Sequence, residues 1–228
     1  MGFDNNDDLI FNTSPRIPVC ICLDLSEDLK NNCFFPNEEL MEKELNQFIN
    51  DIGQNSNIND SVELCIVEID TEPKVLRNFI TVEEPEKIKI EYKGSRDINS
   101  SILKGYETLK ERVELYKENG IEYYNPWMIV ISGGKSQKNS NLEIRNTIIE
   151  LEKNNEMHIV PVYIGEDYEE DEELRNELSS LSGVNNTAIV KLAKFGSLFN
   201  WINKNISIPN SVCTIELDYA DLTEWSDI

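Results

Sequence analysis

The run Ile17-Pro18-Val19-Cys20-Ile21-Cys22-Leu23, closed by Asp24, constrains this chain more than any other feature. A strand that is apolar on both faces cannot keep one side in water, so it must lie inside a sheet covered on both sides. Similar dense runs recur at Val62–Ile69, Trp127–Ile131, His158–Ile164 and Ala188–Leu192. Between them the apolar residues fall at helical spacing over 36–52, from about 98 through Lys117, and over 141–153, 171–181 and 196–203. Strands alternating with helices predict a three-layer, doubly wound α/β domain with a mostly parallel sheet. Two weaker runs, Val75–Ile80 and Ile88–Tyr92, are more polar and suit a sheet edge, with Pro73 and Pro85 punctuating that region.

The ends read differently. Residues 1–15 are polar and rich in Asn and Asp and are expected to form a flexible arm, leaving 16–208 as the domain. Residues 209–228 read as an extension, with Val212–Leu217 as an added strand. No apolar run reaches the roughly 20 residues of a membrane helix, and the acidic start does not resemble a secretory signal. A soluble, cytoplasmic protein is expected. Five cysteines agree with a reducing compartment: the odd count and their placement in strands predict buried free thiols. Cys20-x-Cys22 is read as a pair whose sulfurs point apart, against a shared metal or a bridge.

A formal charge of −22 excludes recognition of nucleic acid or of an anionic membrane, because both depend on Lys and Arg. It leaves another protein as the expected partner. The acidic run over 166–173 is read as a solvated surface or helix start, with a docking patch as the alternative.

Three motifs bear on chemistry. Gly133-Gly134-Lys135-Ser136 resembles the tail of a phosphate-binding loop, but the full pattern requires glycine where Ile129 stands, so a turn after a buried strand explains it. Asp24-Leu25-Ser26-Glu27-Asp28 places carboxylate, hydroxyl and carboxylate at two-residue steps at a strand mouth, where oxygens can converge on a hard cation such as Mg²⁺. Turn and helix capping by the same short side chains is the alternative. The only histidine, His158, starts a strand with no acid or nucleophile evident beside it, and reads as structural.

The segment from Arg16 to Ser26 resembles the opening of von Willebrand factor type A domains, especially the bacterial branch associated with tellurium-resistance gene clusters, in which a strand ends in Asp-x-Ser-x-Ser. Gly94-Ser95-Arg96-Asp97-Ile98 falls at that branch's second loop, Ile129 to Gly134 at its third strand and Thr-Asp-Gly turn, and Phe195 to Ser207 at its closing helix. The resemblance implies one antiparallel edge strand in the sheet and a rim of loops that holds a divalent cation and binds a partner protein. Residue by residue, Asp24 and Ser26 match the cation motif. Asp28 stands in place of the second serine, Arg96 in place of the threonine and Gly133 in place of the third-loop aspartate, with Asp97 one residue away as a substitute ligand. The implied site is therefore a degenerate metal-ion-dependent adhesion site, with no cofactor expected and Mg²⁺ as the alternative. The implied function is a non-enzymatic adaptor whose partner meets Glu27, Ser95, Arg96, Ser132, Gly133 and Gly134, in a stress or tellurium-resistance system. A Mg-dependent hydrolase or phosphatase using Asp24, and a regulatory protein binding through its acidic surface, are the alternatives.

Arg96 has three open arrangements: projection into water, an internal pair with Asp24 or Asp28 in place of a cation, or displacement beside a metal site that uses Asp97. In the last helix Phe199 is expected to face the core and Trp201 the helix shoulder or the tail, since residues two apart cannot share one narrow face.

Overall fold

The computed structural model describes residues 12–56, 58–81, 87–165, 171–184 and 187–206. The acidic residues 166–170, the 209–228 extension with its expected strand, and most of the expected N-terminal arm lie outside them. Each dense apolar run becomes a strand: β1 Ile17–Asp24, β2 Val62–Ile69, β4 Trp127–Ser132, β5 His158–Ile164 and the short β6 Ala188–Val190. β3, Val75–Thr81, follows β2. The sheet runs β3-β2-β1-β4-β5-β6, with all neighbours parallel except β2 and β3. This is the mostly parallel sheet with one antiparallel edge strand.

The helices are α1 Glu38–Gln54, α2 Ile98–Asn119, α3 Glu143–Lys153, α4 Glu172–Ser179 and α5 Phe195–Ile206. Three of them start on side-chain caps that satisfy an orphan backbone donor. Asn37 accepts from Leu40 N at 2.9 Å, Asp97 from Ser100 N at 3.1 Å and Asp171 from Leu174 N at 3.0 Å. Helices α1 and α5 cover one face of the sheet, whose core includes Ile21, Phe48, Ile129 and Phe199. Helices α2, α3 and α4 cover the other, with Val67, Ile102, Ile148 and Leu178 inside. No described helix is long and apolar enough to cross a membrane.

Three local expectations need correction. Residues 88–92 belong to no strand. Ile88, Ile90 and Tyr92 are buried in the first core, and the Asn46 side chain takes the place of a neighbouring strand: Nδ2 donates to Ile88 O at 2.9 Å and Oδ1 accepts from Ile88 N at 2.8 Å. Cys20 and Cys22 share a face, because a two-residue step returns a strand side chain to the same side. Both are buried with Cys65 under α2, where a Cβ added to Gly105 would lie 3.0 Å from Cys20 Sγ and 3.2 Å from Cys22 Sγ. Hydrogen bonds to Cys22 and Cys65, then burial, push the Cys20 thiol up, so it stays protonated. Finally, Phe199 and Trp201 are both 3% exposed and in the same core, so α5 is apolar around more of its circumference than a single stripe.

At the N-terminal end of the sheet, Arg16, Glu63, Arg112 and Tyr116 form a buried polar cluster. Glu63, on β2, accepts from Arg112 Nε at 2.6 Å and Nη2 at 2.8 Å and from the Tyr116 hydroxyl, with Arg16 Nε 3.2 Å away. Arg16 also donates to the carbonyls of Asn12 and Asp60, which fixes the chain entering β1.

Candidate functional site

The parallel strands β1, β2 and β4 end level with one another, Asp24 beside Ile69 and Leu23 beside Ile131, so the loops that follow them meet at one rim. Asp24 is the hub. It is fully buried, and its Oδ2 accepts from Arg96 Nε at 2.6 Å, from Gly133 N at 3.0 Å and lies 3.0 Å from Ser132 Oγ. Its Oδ1 accepts from Ser26 N at 3.1 Å.

Arg96 is 5% exposed and spends all three guanidinium nitrogens inside the rim. Besides Asp24, Nη2 donates to Ser26 Oγ at 2.9 Å and Nη1 to Lys135 O at 3.0 Å, with Asp28 Oδ2 4.0 Å from Nη1. Of the three arrangements open to this side chain, the internal pair with Asp24 is the one adopted. Ser26 precedes a 3-10 turn, Glu27–Asn31, yet makes no side-chain cap, because its hydroxyl is taken by Arg96. The backbone of Arg96 joins in: its carbonyl accepts from Gln137 N at 2.9 Å, and its N–H donates to Gln137 Oε1 at 3.1 Å. Gln137 Nε2 in turn donates to Asp28. One residue therefore stitches the loops after β1 and β4 to its own.

The other rim residues fall into place around it. Glu27 and Asp28 are exposed, Ser95 is half-buried with its N–H on Asp70 Oδ1 at 3.1 Å, and Ser132 is buried. Asp97 is buried and caps α2 through Oδ1. Gly133 and Gly134 are needed for close approach rather than for a turn angle. A Cβ on Gly133 would lie 2.6 Å from Phe35 Cδ2 and 2.7 Å from Leu29 Cδ2; one on Gly134 would lie 2.7 Å from Arg96 Nη1. Leu29 and Phe35 are both buried, so they form an apolar plug over the third loop that no spacing in the sequence announced.

A divalent cation does not fit this donor set. The oxygens of Asp24 and Ser26 that would face it are engaged by a permanently charged guanidinium, and the place of a third-loop acid is packed with hydrocarbon. Among the described residues no group of three or more His, Cys, Asp or Glu side chains is arranged to hold a metal. The acidic helix start beside the rim is also partly used internally. Lys135 pairs with Glu173 and Asp171, and Glu177 accepts from Ser136 N at 2.6 Å and meets Arg145 Nη2 at 3.1 Å. His158, half-buried at the opposite end of the sheet, packs its ring on Trp127 at 5.1 Å and takes no part in the rim.

Layer order, sheet order and the position of the rim define a von Willebrand factor A-like fold without an intact metal cluster among the described residues. No family model and no curated protein matches the sequence. Solved structures do share the fold. Proximal thread matrix protein 1 of the mussel byssus is similar with a TM-score of 0.57 and 10% identity over 86% of this chain and 49% of that one. Another structure of that protein, described as having a zinc-occupied MIDAS motif, gives 0.53 and 13% over 86% and 47%. The pilus adhesin SpaC of Lactobacillus rhamnosus GG gives 0.62 and 9% over 85% and 31%, and the minor pilin PilB of Streptococcus sanguinis 0.53 and 11% over 85% and 62%. The chain thus spans less than two thirds of each of these structures, and at such identities the likeness is one of fold.

Proposed function

We propose that this chain is a non-enzymatic protein-binding module whose partner docks on the outer surface of the rim, over Glu27, Asp28 and the 42%-exposed Phe34. The observation that carries the reading is the Arg96 hub: it gives three loops one fixed arrangement, and a preordered surface loses less entropy on binding. The alternative of a hydrolase with Asp24 as nucleophile is disfavoured by the same geometry, since an attacking carboxylate oxygen must be open to substrate and both oxygens of Asp24 are engaged and buried. A place in a tellurium-resistance or stress system, in the cytoplasm, belongs to this reading and is supported only by the sequence landmarks.

The test compares affinity capture from the native cell, read by mass spectrometry, for three forms of the full chain. These are the natural protein, a rim variant (Glu27→Arg with Phe34→Ala) and an acidic-helix variant (Glu172→Lys with Glu173→Lys). A partner held by the first and third but lost by the second supports rim docking. One lost only by the third moves the interface to the acidic surface, and turnover of a phosphate monoester that disappears in Asp24→Asn would replace the reading with the enzymatic one.

A further inference from the structure

We propose that Arg96 is a covalently tethered substitute for a divalent cation, so that the rim is complete without metal and does not respond to cation concentration. The charge substitution stands on the geometry alone; its consequence, partner binding that is indifferent to chelators, rests on the protein-binding reading above.

A fully buried carboxylate such as Asp24 needs a compensating charge or a proton. Arg96 supplies the charge, and it supplies it in a form that cannot dissociate or deprotonate. The guanidinium fork also does the geometric work of a coordination centre. It draws together a strand-end carboxylate by Nε, a serine hydroxyl by Nη2 and a main-chain carbonyl of the third loop by Nη1, at 2.6, 2.9 and 3.0 Å. An ammonium group has no such fork, so lysine would not reproduce the three directions.

Both glycines of the third loop fit this arrangement. Gly134 lets the guanidinium lie against the third loop, since any Cβ there would lie 2.7 Å from Nη1. Gly133 removes an acid that would have no cation to bind and makes room for Leu29 and Phe35, which cover the loop with apolar surface. Arg96, Gly133 and the apolar plug thus act together, on a loop where Gly134 leaves room for the guanidinium, with the positive charge built in and Asp24 fully buried. Asp28, 53% exposed at its side chain and held by Gln137, is left as an outward-facing acid.

The experiment uses the full chain. Mn²⁺ binding is followed by electron paramagnetic resonance, and thermal unfolding is recorded in EDTA and in millimolar Mg²⁺ or Mn²⁺. The proteins are the natural chain, Arg96→Thr, Arg96→Lys, Asp24→Asn and the Arg96→Thr/Asp24→Asn double variant. The natural chain is expected to bind no Mn²⁺ and to unfold at the same temperature in EDTA and in Mg²⁺. Arg96→Thr should lose about 10 °C of midpoint, and either added divalent cation or Asp24→Asn should return a large part of that loss, because each satisfies the stranded carboxylate. Arg96→Lys, which keeps the charge, should lose less than Arg96→Thr and remain measurable should the latter not fold. Mn²⁺ binding by the natural chain, an EDTA-induced drop in its midpoint, or an Arg96→Thr loss that neither cations nor Asp24→Asn relieve would overturn the proposal. A failed metal experiment leaves the partner-capture result standing, and a partner found elsewhere leaves the metal result standing.

Discussion

Glu63→Gln is predicted to be among the most damaging single substitutions in the chain, although it changes one atom. Glu63 pairs with the buried guanidinium groups of both Arg16 and Arg112, and it also accepts from the Tyr116 hydroxyl. An amide of the same shape keeps some hydrogen bonds but takes the Glu63 charge away from the buried guanidinium of Arg112 and from that of Arg16. Breaking one buried pair in this way costs about 3–5 kcal/mol, and the Arg112–Glu63 pair is such a pair. Against a total stability of about 5–15 kcal/mol, this removes a large share, and for a chain of this size it corresponds to a midpoint drop of about 6–20 °C. Arg112→Met should cost less, because Glu63 then still pairs with Arg16 and the pocket is refilled with hydrocarbon. Urea unfolding followed by tryptophan fluorescence measures both, with the slope expected to stay unchanged. A Glu63→Gln protein within about 1 kcal/mol of the natural one, below the floor for a broken pair, would refute the reasoning, as would an Arg112→Met protein that is equally unstable.

Four other outcomes are expected. Burial is the largest cause holding the Tyr92 and Tyr116 hydroxyls well above the ordinary phenol value, with Asp24 and Glu38 adding at the first and Glu63 at the second. Since the folded value exceeds the unfolded one, their contribution to stability is whole below about pH 10 and is lost as pH rises above it; a tyrosinate absorbance titration in which every tyrosine ionises before unfolding would contradict this. Gly134→Ala should lower the unfolding midpoint in the natural background and have no effect beside Arg96→Ala, since the clash is with the guanidinium; equal losses in both backgrounds would place the strain elsewhere. Gly105→Ala should destabilise despite the gain of about 1 kcal/mol in helix propensity, and Cys20→Ala, which removes the nearer sulfur, should relieve the crowding; calorimetry that finds Gly105→Ala stabilising would argue against tight thiol packing there. Alkylation mapped by mass spectrometry should mark Cys33 in the native protein and Cys20, Cys22 and Cys65 only after unfolding, and native labelling of any of these three would show that the core under α2 opens.

The architecture was legible because it is written in local patterns. Continuous apolar runs mark strands buried on both faces, and helical spacing between them dictates the layers. The rim was legible in part. Asp24 at a strand mouth and Arg96 in a place where the resemblance implies a hydroxyl pointed to an internal pair, though not to its preference over the other arrangements. What escaped was whatever depends on residues far apart in sequence. Leu29 and Phe35 look like ordinary loop residues until Gly133 is seen beneath them, and Asn46 gives no sign that it stands in for a strand. The Glu63 cluster joins residues 49 and 53 positions apart, for which no spacing rule exists. The capping role of Asp97 was not singled out, because a helix cap and a metal ligand use the same carboxylate in the same kind of loop. The error over Cys20 and Cys22 had another source, an incorrect count of strand period.

The placement of polar groups at the two ends of β1 has a consequence for folding specificity. Its interior, Val19 to Leu23, is so uniformly apolar that sliding by one residue against β2 or β4 would still bury hydrocarbon on hydrocarbon. In a half-exposed strand such a slip is forbidden because it turns the apolar face to water; here that safeguard is missing. Arg16 just before the strand and Asp24 at its end add one of another kind. A slipped register would carry Asp24 away from Arg96 and Arg16 away from Glu63, stranding buried charge at both poles of the domain. The central strand is thus aligned by two end-stops, and mistakes in threading are rejected by electrostatics as well as by packing.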